Sequence, residues 1–200
     1  MTVIAAIHDG RQSWIGCDTQ ATWGDTFKAC CGPKWVRAHG WALGHAGDGR
    51  VADLLKDSAR DLLHHLARPI DLTERLRLLF DAHGIAGAAD GDGEPRGARR
   101  YGQAMILARP GAVSSLAGDL ALHRVRRGML WAEGSGESYA AGAGHALART
   151  GQPAPEVLRA AVRAAMTFDP ACGGRVWTAC LGGAASAGVG RGRQARRLIS

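Results

Sequence analysis

What most constrains the fold of this 200-residue chain is the way its hydrophobic period switches along its length. It opens on a strand-like run, Thr2-Val3-Ile4-Ala5-Ala6-Ile7. Residues 2–9 and 12–18 then read as two strands joined by the turn His8-Asp9-Gly10-Arg11, with Val3, Ile4, Ile7, Trp14 and Ile15 marking a half-buried hairpin. Residues 19–33 are rich in turn formers. A second short hairpin pairs Lys34-Trp35-Val36-Arg37 with Trp41-Ala42-Leu43-Gly44 around His39-Gly40, and the glycine-rich corner at residues 44–49 closes it.

From Arg50 the period becomes helical. Val51, Leu54, Leu55, Ala59, Leu62, Leu63 and Leu66 fall on one stripe that stops before Pro69. A second helix follows Asp71 as its N-cap, with Leu72, Leu76, Leu79 and Phe80 apolar. Residues 84–100 have no periodicity and are expected to form a mobile loop. Strands resume at 101–109, 112–118, 120–125 and 128–133. A third helix is expected from about 138 to 149, after Gly134-Ser135-Gly136, and a fourth begins at Pro153-Ala154-Pro155-Glu156. The loop at residues 169–174 leads to a last strand at 175–181. The order is strands, two helices, strands, two helices, strand. Two sheets with a helix pair outside each would bury every apolar face, which is an α+β, four-layer αββα sandwich. Residues 1–182 are expected to be one domain, and the Gly/Arg-rich residues 183–200 a disordered tail.

Composition removes several function classes. No apolar run approaches the roughly 18 residues that span a bilayer, and no charged region followed by an apolar core marks a secretory signal. Together these point to a cytoplasmic protein with no membrane role. Five cysteines (Cys17, Cys30, Cys31, Cys172, Cys180) form no C-x-x-C pair, so free thiols are expected rather than a disulfide framework or a zinc site. The eight histidines include no H-E-x-x-H pattern, and His64-His65 are neighbours on a helix that point apart. The net charge of +7 and pI of 9.7 raise nucleic-acid binding. The arginines, however, cluster at residues 96–100, 124–127 and 191–197 without interleaved aromatics, which reads as solvated surface and no nucleic-acid partner.

Thr2 carries chemistry of its own. A small residue after Met1 favours aminopeptidase removal of that methionine, leaving a threonine with a free α-amine. Such an amine has an ordinary pKa of about 7.7–8, so part of it is neutral near pH 7 and can act as a base. One residue then supplies both a hydroxyl nucleophile and a general base.

Several further motifs, taken together and in order, resemble the proteasome β-subunit and HslV-type proteases, which are N-terminal-nucleophile hydrolases. Ile15-Gly16-Cys17-Asp18-Thr19-Gln20-Ala21-Thr22-Trp23-Gly24-Asp25-Thr26 is similar to the family's GD-x-Q-x-T-x-G-x-T stretch. The spacing of Thr2, Asp18 and Lys34 matches its nucleophile, carboxylate and lysine. Gly44-His45-Ala46-Gly47-Asp48 resembles its oxyanion loop, the segment from Gly134 to Ala140 its GSG-x-x-A turn, and the segment from Phe168 to Gly174 its RD-x-x-SGG loop.

The resemblance covers the chain to about residue 182 and implies roles. Thr2 Oγ1 attacks the scissile carbonyl and its amine takes the proton. Lys34 is a fixed positive charge beside it, Asp18 holds that ammonium, and the Gly47 N–H donates to the oxyanion. Ser135 and Asp169 orient the Thr2 amine. Thr22 lines a groove where an extended peptide adds as a strand, His45 forms the floor of the specificity pocket, and Cys172 stands in the loop beside the amine. No metal ligand or required cofactor is implied; a structural monovalent or divalent cation held by carbonyls near Asp169 is compatible with the resemblance.

Three departures stand out. Cys172 replaces a serine and is a weaker hydrogen-bond partner. His45 occupies a normally apolar or small position and suggests a polar or acidic preference or a poor pocket. Cys30-Cys31-Gly32-Pro33 and the 84–100 segment differ from HslV-type enzymes, so a divergent bacterial proteasome homologue is the better match and an ATPase unfoldase partner is left undetermined. The resemblance also implies a homo-oligomeric double ring of 12 or 14 subunits acting on peptides or unfolded proteins. With nothing before Met1, maturation is expected to need only its removal. Two alternatives stay open at this point: an amidase or acylase acting on small molecules, and a catalytically weak structural ring subunit.

Overall fold

The structure, a computed structural model, describes residues 2–23, 27–85, 101 and 103–182. The tail expected at 183–200, nearly all of the segment expected as a loop at 84–100, and the arginine clusters within both lie outside these residues.

The first strand, β1 (Val3–His8), is buried along its whole length. Alternation explains why. Val3, Ala5 and Ile7 face one helix pair, while Ile4 and Ala6 face the opposite sheet. The half-buried hairpin expected from the sequence is thus corrected: a strand clothed on both faces needs apolar residues at every position, and the chain supplies them from Val3 to Ile7. β1 pairs antiparallel with β2 (Ser13–Cys17) through the expected turn.

Residues 19–33 are not only turns. β3 (Gln20–Trp23) and β4 (Phe27–Cys30) form a separate two-stranded ribbon. β5 (Trp35–Ala38) and β6 (Trp41–Ala46) make the hairpin read around His39-Gly40. Both turn residues have positive φ, +49° for His39 and +80° for Gly40, as a tight two-residue connection requires.

Helix α1 (Gly49–Leu63) is capped by Asp48, whose side chain accepts from the Arg50 N–H at 2.8 Å. Helix α2 (Pro69–Ala82) begins two residues before the expected N-cap. Arg68 is the cap, Pro69 occupies the first turn where its missing N–H is harmless, and the Asp71 carboxylate reaches back to the Arg68 N–H at 2.9 Å. His64 and His65 lie past the end of α1 instead of on it. Their rings do not diverge but meet edge-on with centroids 4.0 Å apart.

β7 (Ala104–Arg109), β8 (Ala112–Leu116), β9 (Leu122–Arg124) and β10 (Trp131–Gly134) match the expected order with shorter strands. α3 (Glu137–Ala148), α4 (Ala154–Phe168) and β11 (Trp177–Leu181) complete the described chain.

Two antiparallel sheets face each other, in the orders β10-β1-β2-β11 and β5-β6-β7-β8-β9. Between them lies a core of Ile4, Ala6, Ile15 and Cys17 against Ala42, Ala46, Ile106 and Val113. The sheets approach closely at Gly44, where an added Cβ would sit 2.9 Å from Ile4 Cγ2. The helices α1 and α2 cover the second sheet through Val51, Leu55, Leu72, Leu76 and Phe80. The helices α3 and α4 cover the first through Val157, Leu158, Ala161, Val162 and Ala165. The result is the α+β, four-layer αββα sandwich that the pattern implied. Among the described residues no disulfide forms, and no helix is long and apolar enough to cross a membrane.

Candidate active site

The edge of the sandwich where β1 begins gathers residues from both sheets and from the Asp169 loop. Thr2 is 6 % exposed and Asp18, just past β2, is fully buried. Pairing of β1 with β2 places them side by side, since Ile4 lies opposite Cys17. Asp18 Oδ1 accepts from the Thr2 hydroxyl at 2.8 Å and from the Val3 N–H at 3.1 Å. Its Oδ2 accepts from the Gln20 N–H at 3.1 Å and the Gly173 N–H at 3.0 Å.

Lys34, which precedes β5, drives its ammonium into the same spot. Nζ donates to Thr2 Oγ1, to Asp18 Oδ1 at 2.5 Å and to the Gln20 carbonyl at 2.5 Å. The lysine is further positioned by its own N–H, which donates to the buried Cys17 thiol at 3.4 Å. A hydroxyl, a carboxylate and an ammonium are thereby locked together in a site of low dielectric, where charge interactions are strong.

The Asp169 loop lies behind Thr2. Ser135 Oγ donates to the Thr2 carbonyl at 3.3 Å, and the Gly136 N–H does so at the same distance. Asp169, at the C-terminus of α4, accepts from the Ala171 N–H at 2.9 Å and from the Cys172 thiol at 3.2 Å. Burial pushes the Asp169 carboxyl up, but hydrogen bonds from Ser135, the Ala171 N–H and Cys172 outweigh it and hold its pKa below the ordinary value. Burial raises the Cys172 thiol to about 12, so it is a neutral donor. Gln20 and Thr22 clip this loop to the ribbon: Gln20 Nε2 donates to the Pro170 carbonyl at 3.1 Å, and Thr22 Oγ1 to the Ala171 carbonyl at 3.0 Å.

Beside Thr2 opens a cleft of about 530 Å³ with Lys34, Thr22, His45 and Gly47 on its walls and Val36, Leu43 and Leu55 as apolar lining. His45 is buried, and its Nε2 sits 2.6 Å from Gln103 Oε1. Burial lowers its pKa below the ordinary 6.5, against the raising effects of Gln103 and Asp48. A neutral ring with Nε2–H already committed offers an acidic side chain no positive charge, so His45 gives the acidic preference no support. Gly47 has φ +157°, and a Cβ there would be driven into Gln103 Oε1. Among the described residues, no group of three or more His, Cys, Asp or Glu side chains is arranged to hold a metal ion.

All nine candidate residues therefore fall in one region. Thr2, Asp18 and Lys34 touch one another, while Ser135, Asp169 and Cys172 form a second cluster behind the Thr2 backbone. Thr22, His45 and Gly47 line the cleft. The sequence reading missed Gln103, which no motif marks, and the carbonyl of Gln20 as a lysine acceptor.

No protein-family model matches the chain, and no curated protein does either. Solved structures do. The protein designated BPH from Thiobacillus denitrificans is 21% identical, covers 91% of this chain and 98% of its own, and superposes with a TM-score of 0.73. BPH in complex with Epoxomicin gives 20% identity, 90% and 98% coverage, and a TM-score of 0.73. Eukaryotic HslV from Trypanosoma brucei gives 19% identity over 91% of this chain and all of that one, with a TM-score of 0.69. The chain has the HslV-type fold. At such identities the likeness is one of architecture.

Proposed function

We propose that this chain is a threonine peptidase that uses Thr2 as an N-terminal nucleophile once Met1 is removed. The observation that carries the reading is the contact of Thr2 Oγ1 with both Lys34 Nζ and Asp18 Oδ1 at the mouth of a cleft. An ion pair with no catalytic role needs no hydroxyl held by both of its members and no cleft in front of it.

In this scheme the freed Thr2 amine, directly or through a water, removes the Oγ1 proton as the hydroxyl attacks a peptide carbonyl. The Lys34 ammonium beside Oγ1 stabilises the developing alkoxide and disfavours a second positive charge on the nearby amine. Asp18 holds that ammonium against Thr2. The Gly47 N–H, which also lines the cleft, donates to the carbonyl oxygen as it becomes an oxyanion. Collapse of the tetrahedral intermediate expels the amine half of the peptide, which takes a proton from the Thr2 ammonium. Water then attacks the acyl ester, with the Thr2 amine again as base. Ser135 and the Gly136 N–H fix the Thr2 carbonyl, and hence the direction of its Cα–N bond. The chain's own groups fill every proton and charge role, so no cofactor is invoked.

The resemblance extends the proposal to a closed cytoplasmic double ring of 12 or 14 subunits with sites facing an inner chamber, acting on peptides or unfolded chains. The test of the chemistry is intact mass. Met1 is expected to be lost, and Epoxomicin, found on the related BPH, to add once, at Thr2, in wild type and not in Thr2→Ala. Retention of Met1 with no adduct defeats the proposal.

A further inference from the structure

The part of the cleft lining around Gly47 is held by a residue that no motif singles out. In the antiparallel pairing of β6 with β7, His45 lies opposite Met105 and Ala46 opposite Ala104. Continued by one step, the same register sets Gln103 opposite Gly47, where the ladder stops. The buried Gln103 side chain takes over from it. Its Oε1 accepts from the Asp48 N–H at 3.2 Å and from His45 Nε2–H at 2.6 Å, and its Nε2 donates to the Tyr101 carbonyl at 3.0 Å. Only the oxygen can accept and only the NH2 can donate, so the two backbone partners fix the amide orientation. The orientation in turn requires His45 to carry its proton on Nε2. Among the described residues no acceptor takes the Gly47 N–H itself, which leaves it available to the cleft.

We propose that Gln103 is a positioning residue: acting through His45 and the Asp48 N–H, its carboxamide sets the peptide plane that presents the Gly47 N–H to the oxyanion. This rests on the peptidase reading above. The geometry suits the task because Gln103 holds His45, two residues before Gly47, and Asp48, directly after it, and its oxygen fills the space that a Cβ on Gly47 would occupy. The loop has no other described side-chain tether to β7. Gln103 touches no substrate; its effect passes through the backbone it holds. A donor that aims wrongly by a fraction of an ångström stabilises the ground state almost as before and the transition state much less.

The test compares wild type with Gln103→Leu, which keeps bulk and removes both the acceptor and the donor. Steady-state cleavage of a fluorogenic peptide, affinity for a peptide boronate whose Thr2 adduct is tetrahedral and anionic, and affinity for the corresponding non-cleavable peptide are measured together with the thermal melt. A drop in kcat of about tenfold or more is expected, a fraction of the 10²–10³ that loss of a whole oxyanion donor costs. KM should stay within about twofold, since ground-state binding uses other walls of the cleft. Boronate affinity should fall with kcat while the non-cleavable peptide binds as before. If Gln103→Leu fails to fold, Gln103→Met, of equal length and with only a weak acceptor, carries the same expectation. Unchanged kcat in a folded variant, or equal losses for boronate and peptide, overturns the role of Gln103. A wild type that takes no boronate overturns the peptidase reading and this inference with it; a reactive wild type with unaffected variants overturns the inference alone.

Discussion

The Asp18–Lys34 pair predicts an asymmetry that thermodynamics can resolve. Asp18 is fully buried and satisfies five donors: the Thr2 hydroxyl, the N–H groups of Val3, Gln20 and Gly173, and the Lys34 ammonium. Asp18→Ala leaves an ammonium that is 11% exposed with no counter-charge and takes their acceptor from the Val3 and Gly173 N–H groups, while the Gln20 N–H keeps the Gly173 carbonyl at 3.1 Å. Breaking a buried pair from one side costs about 3–5 kcal/mol. Lys34→Ala is milder, because Asp18 keeps four of its five donors, and about 1–3 kcal/mol is expected for the lost charge-assisted bonds. The double variant removes both charges and should fall short of the summed losses by at least about 1 kcal/mol, as contacting residues do. At roughly 2–4 °C per kcal/mol for a domain of this size, Asp18→Ala should melt about 6–20 °C below wild type. Urea unfolding of the four proteins at one matched concentration gives the cycle. A Lys34→Ala loss equal to or above that of Asp18→Ala, or strict additivity, refutes the view that Asp18 is the organising centre of the site.

Two further outcomes are expected. Gly136→Ala would press a Cβ to 2.8 Å from Ala165 Cβ and 2.9 Å from Cys172 Sγ, so overpacking should cost about 1–3 kcal/mol, and a melt within 1 °C of wild type would contradict the packing at the start of α3. The His45 pKa is lowered in the folded chain, so the unfolded chain binds more protons below pH 6.5. Its share of stability is complete above that value and is lost as the pH falls through 6.5 towards the folded pKa. Urea titrations between pH 7 and 5 should therefore show a shallower acid loss in His45→Gln than in wild type, and equal slopes would count against a buried neutral ring.

The layered fold was legible because each layer has its own period. The stripe from Val51 to Leu63 is a helix as its period implied, although Leu66, read on the same stripe, lies past the helix end, and the run from Val3 to Ile7 is a strand. What periodicity could not give was coverage. Val3, Ala5 and Ile7 look like one face of a half-exposed strand until α3 and α4 are seen to clothe it. The ribbon of β3 and β4 hid among turn residues because its strands are only four residues long. Asp71 was read as a cap for the right chemical reason at the wrong place: a carboxylate at the third helical position reaches the cap N–H as readily as one at the cap receives from within. In the site, Thr2, Asp18 and Lys34 were legible through spacing that a known pattern shares. Gln103 was not, because its importance lies in two strands ending side by side, and no local sequence signal encodes that.

Strand β1 has a kinetic consequence. Chain ends ordinarily fray, opening and closing many times for each global unfolding event. Thr2 is joined to a strand flanked by β2 and β10 and covered on both faces, so releasing it means dismantling two cores. The amides of Val3 to Ile7 should exchange with solvent deuterium only through near-global opening, so the reactive residue is carried on one of the slowest-exchanging segments of the molecule.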